Sequence, residues 1–228
     1  MDRNVQQSFD SGKSFEELCQ DVVEGLSGQN YAVVDNFLLM DEAQAVRNHI
    51  ELCQQQGKFK PAGIGTAHQF QVKDTVRKDH IYWINPVICD PVERILVNRV
   101  RALMLVLNRQ CFLGLKDFEM HFAIYEEGAF YKRHLDQFKG SDHRRLTFIL
   151  YLNPRWTSQD GGILRMYLAG SDGVEAPFDI LPLAGRLVCF RSDIIEHEVL
   201  ISHKPRYSVT GWMLDQINEL TFLQYRKV

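Results

Sequence analysis

Two of the eight histidines stand in a His-x-acid tripeptide, His49-Ile50-Glu51 and His134-Leu135-Asp136. In a chain this acidic about one such match arises by chance, so geometry has to separate the two. His49 and Glu51 fall inside a predicted helix, where residues two apart face nearly opposite sides. They cannot share a metal, and the expectation is a solvated helix face. His134 and Asp136 close a predicted strand, where residues two apart point the same way. An imidazole and a carboxylate there converge on one point. A third ligand has to come from downstream, and His197 and His203 are the candidates.

Two histidines and one carboxylate hold one face of an octahedral ion and leave three positions open, the facial triad of non-haem Fe(II) oxygenases. Arg206 follows His197 just past the turn signal Lys204-Pro205. On a strand it shares a face with Ser208, Thr210 and Trp212. A guanidinium inside a barrel is costly unless it meets an anion. The far carboxylate of a 2-oxoglutarate cosubstrate is such an anion, since it accepts two parallel hydrogen bonds from an arginine fork. The alternative is an exposed arginine at a strand end.

These residues need a frame. Ser14 and Glu17 form an S-x-x-E capping box for a helix over Ser14 to Leu26. Tyr31 to Leu38 is strand-like. Asp41 is the expected N-cap of a second helix carrying Ala45, Val46, Ile50 and Cys53. Gly57 to Gly65 reads as a loop, Phe70 to Val76 as a hairpin arm, and Ile81 to Ile84 as a short apolar strand. Pro91 begins a long amphipathic helix through Ile95, Val100, Leu103, Met104 and Leu107. From Phe118 onward short β-branched or aromatic segments alternate with turn signals such as Asn153-Pro154 and Asp160-Gly161-Gly162, the pattern of a sandwich or barrel.

The chain has 228 residues, 45% of them hydrophobic and 24% charged, with a formal net charge of -3. That composition excludes overall disorder and gives no basic field for nucleic acid. No apolar run reaches the roughly 18 residues of a membrane span. The five cysteines form no CxxC pair, which argues against a disulfide framework and points to a reduced, cytoplasmic protein. The expected fold is α+β dominated by a β-core, a sandwich or barrel braced by N-terminal helices. It is read as a single domain over 1–228: helical bracing with a mobile loop and hairpin over 1–117, the core over 118–215, and a tail over 216–228.

Tyr125-Glu-Glu-Gly128-Ala-Phe-Tyr131-Lys-Arg-His134-Leu-Asp136 resembles the Y-x-x-G-x-x-Y-x-x-H-x-D stretch of the prolyl 4-hydroxylase family of Fe(II)/2-oxoglutarate dioxygenases. Leu146 to Asn153, Trp156 and Gly161-Gly-Ile-Leu-Arg165 resemble that family's next strands. His197-Glu-Val with Arg206-Tyr-Ser-Val-Thr-Gly-Trp212 resembles its closing motif. Arg77-Lys-Asp79-His-Ile81-Tyr-Trp83-Ile84 matches the R-x-D-x-I-x-W-I segment of the oxygen-sensing prolyl hydroxylases that act on hypoxia-inducible factor, and of their bacterial relatives. The resemblance covers roughly Phe70 to Asp215.

It implies that the β-core is a double-stranded β-helix (jelly roll) and that His134, Asp136 and His197 bind Fe(II), with Arg206 and the Tyr151 hydroxyl on the distal carboxylate of 2-oxoglutarate. Tyr125 and Thr147 would also face the cosubstrate, and Ile149, Leu164 and Trp212 would wall the cavity. Gly63, Ile64, Gly65 and Arg77 belong to the segment where relatives carry a mobile loop over the substrate. Hydroxylation of a prolyl residue in a protein is implied, with O2 consumed, 2-oxoglutarate converted to succinate and CO2, and L-ascorbate as reductant. Bacterial relatives make elongation factor Tu a candidate substrate. The same chemistry on another side chain, a free amino acid or a nucleobase, and a silent peptide-binding or iron-sensing module, are the competing readings. A basic group, Lys132, Arg133, Lys139, His143, Arg144 and Arg145, either steers an acidic partner or forms a solvated face.

Overall fold

Three well-capped helices brace the β-core. The computed structural model describes residues 12–63, 71–137, 143–170 and 173–217. Helix α1 spans Phe15–Gln29. Its first turn is closed reciprocally: Glu17 N donates to Ser14 Oγ, and Ser14 N donates to Glu17 Oε2. Strand β1 is Tyr31–Val34. It stops short of Leu38 because Asn36 takes a positive φ and turns the chain, leaving Phe37 and Leu38 as core residues.

Helix α2 is Met40–Gln55, with Leu39 at the N-cap position. Asp41 is therefore inside the first turn and not the cap. The free N–H of Leu39 is met instead by the Glu42 carboxylate at 3.0 Å. The glycine-flanked segment that follows contains a two-residue strand, β2 Lys60–Pro61, paired with β3 His80–Trp83. Residues 71–76 form no strand; Asp74 to Val76 make a turn where a hairpin arm was expected. Helix α3, Pro91–Cys111, has Asp90 as N-cap and a complete capping box with Glu93.

The remaining strands are β4 Asp117–Tyr125, β5 Tyr131–His134, β6 Arg144–Tyr151, β7 Leu164–Ala169, β8 Glu175–Ile180, β9 Leu187–Arg191, β10 Glu196–Val199 and β11 Arg206–Leu214. They form two antiparallel sheets. The major one runs β1-β9-β6-β11-β4-β3-β2 and the minor one β5-β10-β7-β8. The turn spacing predicts a sandwich or barrel, and the two sheets form the double-stranded β-helix (jelly roll) that the family resemblance implies.

The central strands of the major sheet are buried on both faces, and the two faces feed different cores. One cluster packs Val22, Val97, Val100 and Leu103 of the helices against Phe122, Phe148 and Val209 of the sheet. The other lies between the sheets and contains Tyr125, Ile149, Tyr151, Leu164, Met166 and Phe190. Gly211 allows the close approach at the centre: a Cβ there would fall 2.5 Å from the Glu119 carbonyl oxygen and 2.4 Å from the Phe148 ring. Among the described residues, no helix is long and apolar enough to cross a membrane.

Candidate active site

His134 ends β5 and His197 lies on β10, and the two are direct cross-strand partners in the minor sheet. Their rings stand 4.3 Å apart. Asp136 lies just beyond β5 and completes the group. Its Oδ1 is 3.4 Å from His134 Nε2 and its Oδ2 is 3.5 Å from His197 Nε2. One ligand atom from each residue lies within 4.8 Å of the others, a geometry that could hold a metal ion.

The tautomers are set from behind. His134 Nδ1 is 2.7 Å from the Lys132 carbonyl and His197 Nδ1 is 3.2 Å from that of Ile195. A carbonyl only accepts, so each Nδ1 carries the hydrogen and each Nε2 presents a lone pair to the centre. Burial, reinforced by His134, pushes His197 down to about 4 and keeps it neutral. Burial alone would raise the Asp136 carboxyl, but His197 and His134, with Arg144 behind them, hold it well below the ordinary carboxylate range. Two neutral imidazoles and one anion are the protonation state that a divalent cation requires.

His203 is elsewhere. Its ring is exposed and bonds the Gln159 carbonyl at 2.8 Å, which leaves His197 as the downstream histidine at the centre. His49 is also not the solvated residue expected of it. Its ring turns inward, 3.2 Å from Glu93, while Glu51 pairs with Arg47.

Arg206 is 1% exposed and enters the chamber from the major sheet. Register explains its neighbours: Arg206 pairs across to Tyr125, Ser208 to Tyr151, and Trp212 to Thr147. The guanidinium carbon lies 4.8 Å over the Tyr125 ring and 4.9 Å over the Tyr151 ring. Its closest polar contact is long, 3.4 Å to the Ser208 hydroxyl. Among the described residues no carboxylate pairs with it, and its Nε and the Tyr151 hydroxyl are buried without partners. Gly162, at φ +60°, leaves the space beside it open; a Cβ there would come within 2.8 Å of Arg206 Cδ. Burial raises both the Tyr125 and Tyr151 phenols, so they stay neutral donors. An orphaned cation and an orphaned hydroxyl in one dry chamber fit the distal carboxylate of a diacid.

Thr147 faces the same chamber, but its hydroxyl is engaged: it donates to Asp136 Oδ2 at 2.7 Å and lies 2.9 Å from the Ser192 hydroxyl. Ile149 and Leu164 are buried in the intersheet cluster. Trp212 lies farther out, under the Arg144 guanidinium at 3.6 Å and beside His121 and Trp83. Arg77 forms a fork with Asp79 at 2.7 and 2.5 Å and reaches the Gly63 carbonyl at 3.4 Å. Ile64 and Gly65 lie outside the described residues, as does Lys139. The basic group is internally neutralised at its arginines: Arg133 pairs with Glu175 and Glu196, Arg144 with Glu119, and Arg145 with Asp215.

Spacing alone gave no sign of Tyr131 and Ser192. Tyr131 stacks on His134 with ring centres 3.7 Å apart, and Arg77 covers its other face at 4.2 Å. Ser192 follows β9 and supports Thr147. Tyr131 does stand in the motif that runs from Tyr125 to Asp136, without a role read for it there, whereas Ser192 has no sequence signal beyond its place at the end of a strand.

The profile of the 2OG-Fe(II) oxygenase superfamily matches residues 120–214, from β4 through β11. The hypoxia-inducible factor prolyl hydroxylase of Caenorhabditis elegans is 32% identical over 211 residues, 87% of this chain and 28% of that protein. The chain spans less than two thirds of the length of the curated relatives it matches. A crystal structure of a Pseudomonas putida prolyl-4-hydroxylase superposes with TM-score 0.76 at 38% identity, covering 88% of this chain and all of that one. A Trichoplax adhaerens prolyl hydroxylase, solved with a peptide fragment of the oxygen degradation domain of hypoxia-inducible factor, gives 0.78 at 28% identity over 92% and 94%. With its triad, its unpaired buried arginine and these likenesses, the chain belongs to the 2OG-Fe(II) oxygenase superfamily, and its similarity within it is to the prolyl hydroxylases.

Proposed function

We propose that this chain is a prolyl 4-hydroxylase that uses Fe(II), 2-oxoglutarate and O2 to hydroxylate a proline in a protein. The observation that carries the reading is the buried Arg206, unpaired with any described carboxylate, in the same chamber as His134, Asp136 and His197. When bound, iron and cosubstrate supply the oxidation: one oxygen atom of O2 ends in succinate as CO2 leaves, and the other becomes the substrate hydroxyl.

The protein's own part is binding, orientation and exclusion of water. His134, Asp136 and His197 would hold the ferrous ion through two imidazole nitrogens and one carboxylate, a ligand set suited to oxygen activation. Arg206 takes the far end of the diacid through its fork, and Tyr151 donates to the same carboxylate. This fixes the end that must face the metal. Tyr125, Ile149 and Leu164 keep the chamber dry, so the charge pairing with Arg206 is strong. Asp136 stays anionic throughout, held by Thr147.

The substrate reading rests on the likeness to prolyl hydroxylases. Gly63, whose carbonyl accepts from Arg77, is assigned to the substrate side, and Trp212 with Arg144 to the mouth. A proline-bearing segment of a protein is the partner class, with elongation factor Tu the candidate to try first. L-ascorbate is the reductant that keeps the metal ferrous. Free thiols at all five cysteines suit a cytoplasmic setting.

The test is incubation of the iron-loaded protein with 2-oxoglutarate and proline-containing proteins. The expected result is the mass gain of one oxygen atom on proline, matched by succinate. Succinate formed together with oxygen on a different residue type would replace the prolyl reading while keeping the chemistry.

A further inference from the structure

A second group of potential metal ligands lies on the opposite side of the major sheet, away from the chamber. His49 and Cys53 are four residues apart on α2 and so share a face. Glu93, in the first turn of α3, points between them. His49 Nε2 is 3.2 Å from Glu93 Oε1 and 3.5 Å from Cys53 Sγ, and the donor atoms all lie within 4.8 Å of one another. We propose that His49, Cys53 and Glu93 form a second cation site, for a zinc-class divalent ion, that clips α2 to α3 behind the β-core.

The chemistry of the donors supports this. Nε2 has one hydrogen or one lone pair, so it cannot satisfy a sulfur and a carboxylate oxygen at once. Cys53 is 1% exposed and Glu93 4%, so an anion at either position calls for a cation beside it. Glu93 is held in place by its capping role: Oε2 accepts from Asp90 N at 3.0 Å, which leaves Oε1 for the cluster. On the far side of the imidazole, Asp90 Oδ1 lies 3.8 Å from His49 Nδ1, near enough to orient the ring as carboxylates do behind ligating histidines. Phe122 closes the site from the sheet at 5.8 Å.

The ligand set points to zinc. A thiolate and an imidazole with one carboxylate suit a borderline-soft tetrahedral ion and not calcium or magnesium. The His49 side chain is 12% exposed, and on that side a water can fill the fourth position. Lys58 is the competing cation, with Nζ 3.8 Å from Sγ and 5.5 Å over the Tyr82 ring. The long, flexible Lys58 side chain would swing to solvent when the ion enters. The iron triad contains no sulfur, so the two sites are spectroscopically distinct.

Titration of the chelator-stripped chain with cobalt(II) decides the matter. The expected result is a sulfur-to-cobalt charge-transfer band that saturates by two equivalents in the wild type, which has both sites, with an intensity of one thiolate per chain. Cys53→Ala removes the band, whereas Asp136→Ala keeps it. Glu93→Gln, which retains the thiol, weakens binding about tenfold or more, as does His49→Gln. Lys58→Ala tightens it. A folded wild-type chain without the band, or a band that survives Cys53→Ala, overturns the proposal. Should Cys53→Ala fail to fold, X-ray absorption on the zinc-loaded wild-type chain gives the answer: one sulfur at about 2.3 Å supports the site, and only nitrogen and oxygen neighbours refute it.

Discussion

The hydroxyl of Thr147 donates to Oδ2 of Asp136 at 2.7 Å, and because that hydrogen is committed, the Ser192 hydroxyl must donate to Thr147 at 2.9 Å. The ligand carboxylate is thereby oriented by two strands of the major sheet, although it follows a strand of the minor one. Thr147→Val keeps the shape and removes the donor. Iron affinity or turnover is expected to fall about 10–100-fold with the fold intact. Iron-dependence curves and circular dichroism check it; an unchanged iron requirement would leave Thr147 as simple packing.

Arg206→Ala should raise the 2-oxoglutarate concentration needed for half-maximal turnover about a hundredfold or more, since it removes a buried charge-assisted pair. Tyr151→Phe should raise it about tenfold, the effect of one hydrogen bond from a neutral donor to a charged group. The order of the two effects matters as much as their size. A larger loss at Tyr151 would mean that the diacid does not dock on the guanidinium.

His134→Ala and Asp136→Ala should each abolish succinate formation with substrate. His203→Ala should leave iron binding and turnover near wild type, because its ring is exposed and bonds a backbone carbonyl. Loss of iron in the His203 variant would move the third ligand.

His121 is 3% exposed with Nδ1 unpartnered, and burial, aided by Arg77, pushes it down to about 3. Its folded-state value lies below the ordinary 6.5, so the unfolded chain binds the extra proton between those limits. The neutral ring's contribution is complete above pH 6.5 and is lost as pH falls toward about 3. His121→Leu should flatten the loss of stability across that window in denaturant melts. An equally steep loss would assign the acid sensitivity to other groups.

Much of the site is visible in the sequence because it rests on local rules. The strand period places His134 and Asp136 on one side and Arg206 with Trp212 on another; Arg206 and Trp212 alternate on β11 as expected, whereas β5 ends at His134 and Asp136 reaches the same point from just beyond it. The capping box at Ser14 locates α1, and Pro91 locates the start of α3. Asp41 misled because a capping residue and a first-turn acid look alike when both precede an apolar run. His49 misled because its partner, Glu93, comes from another helix, and one helix's periodicity is silent about a neighbour. Ser192 was hidden for the same reason: it reaches Thr147 from a different strand.

On the proposed reading, the metal ligands lie on or just beyond strands of the four-stranded sheet, and Arg206, the diacid's anchor, on the seven-stranded one. A cosubstrate held at both ends therefore staples one layer to the other. Loading should tighten the whole sandwich, with amides of β5 and β10 exchanging more slowly and the melting temperature rising with 2-oxoglutarate concentration. A monocarboxylate that reaches the metal but not Arg206 would leave the layers free to breathe.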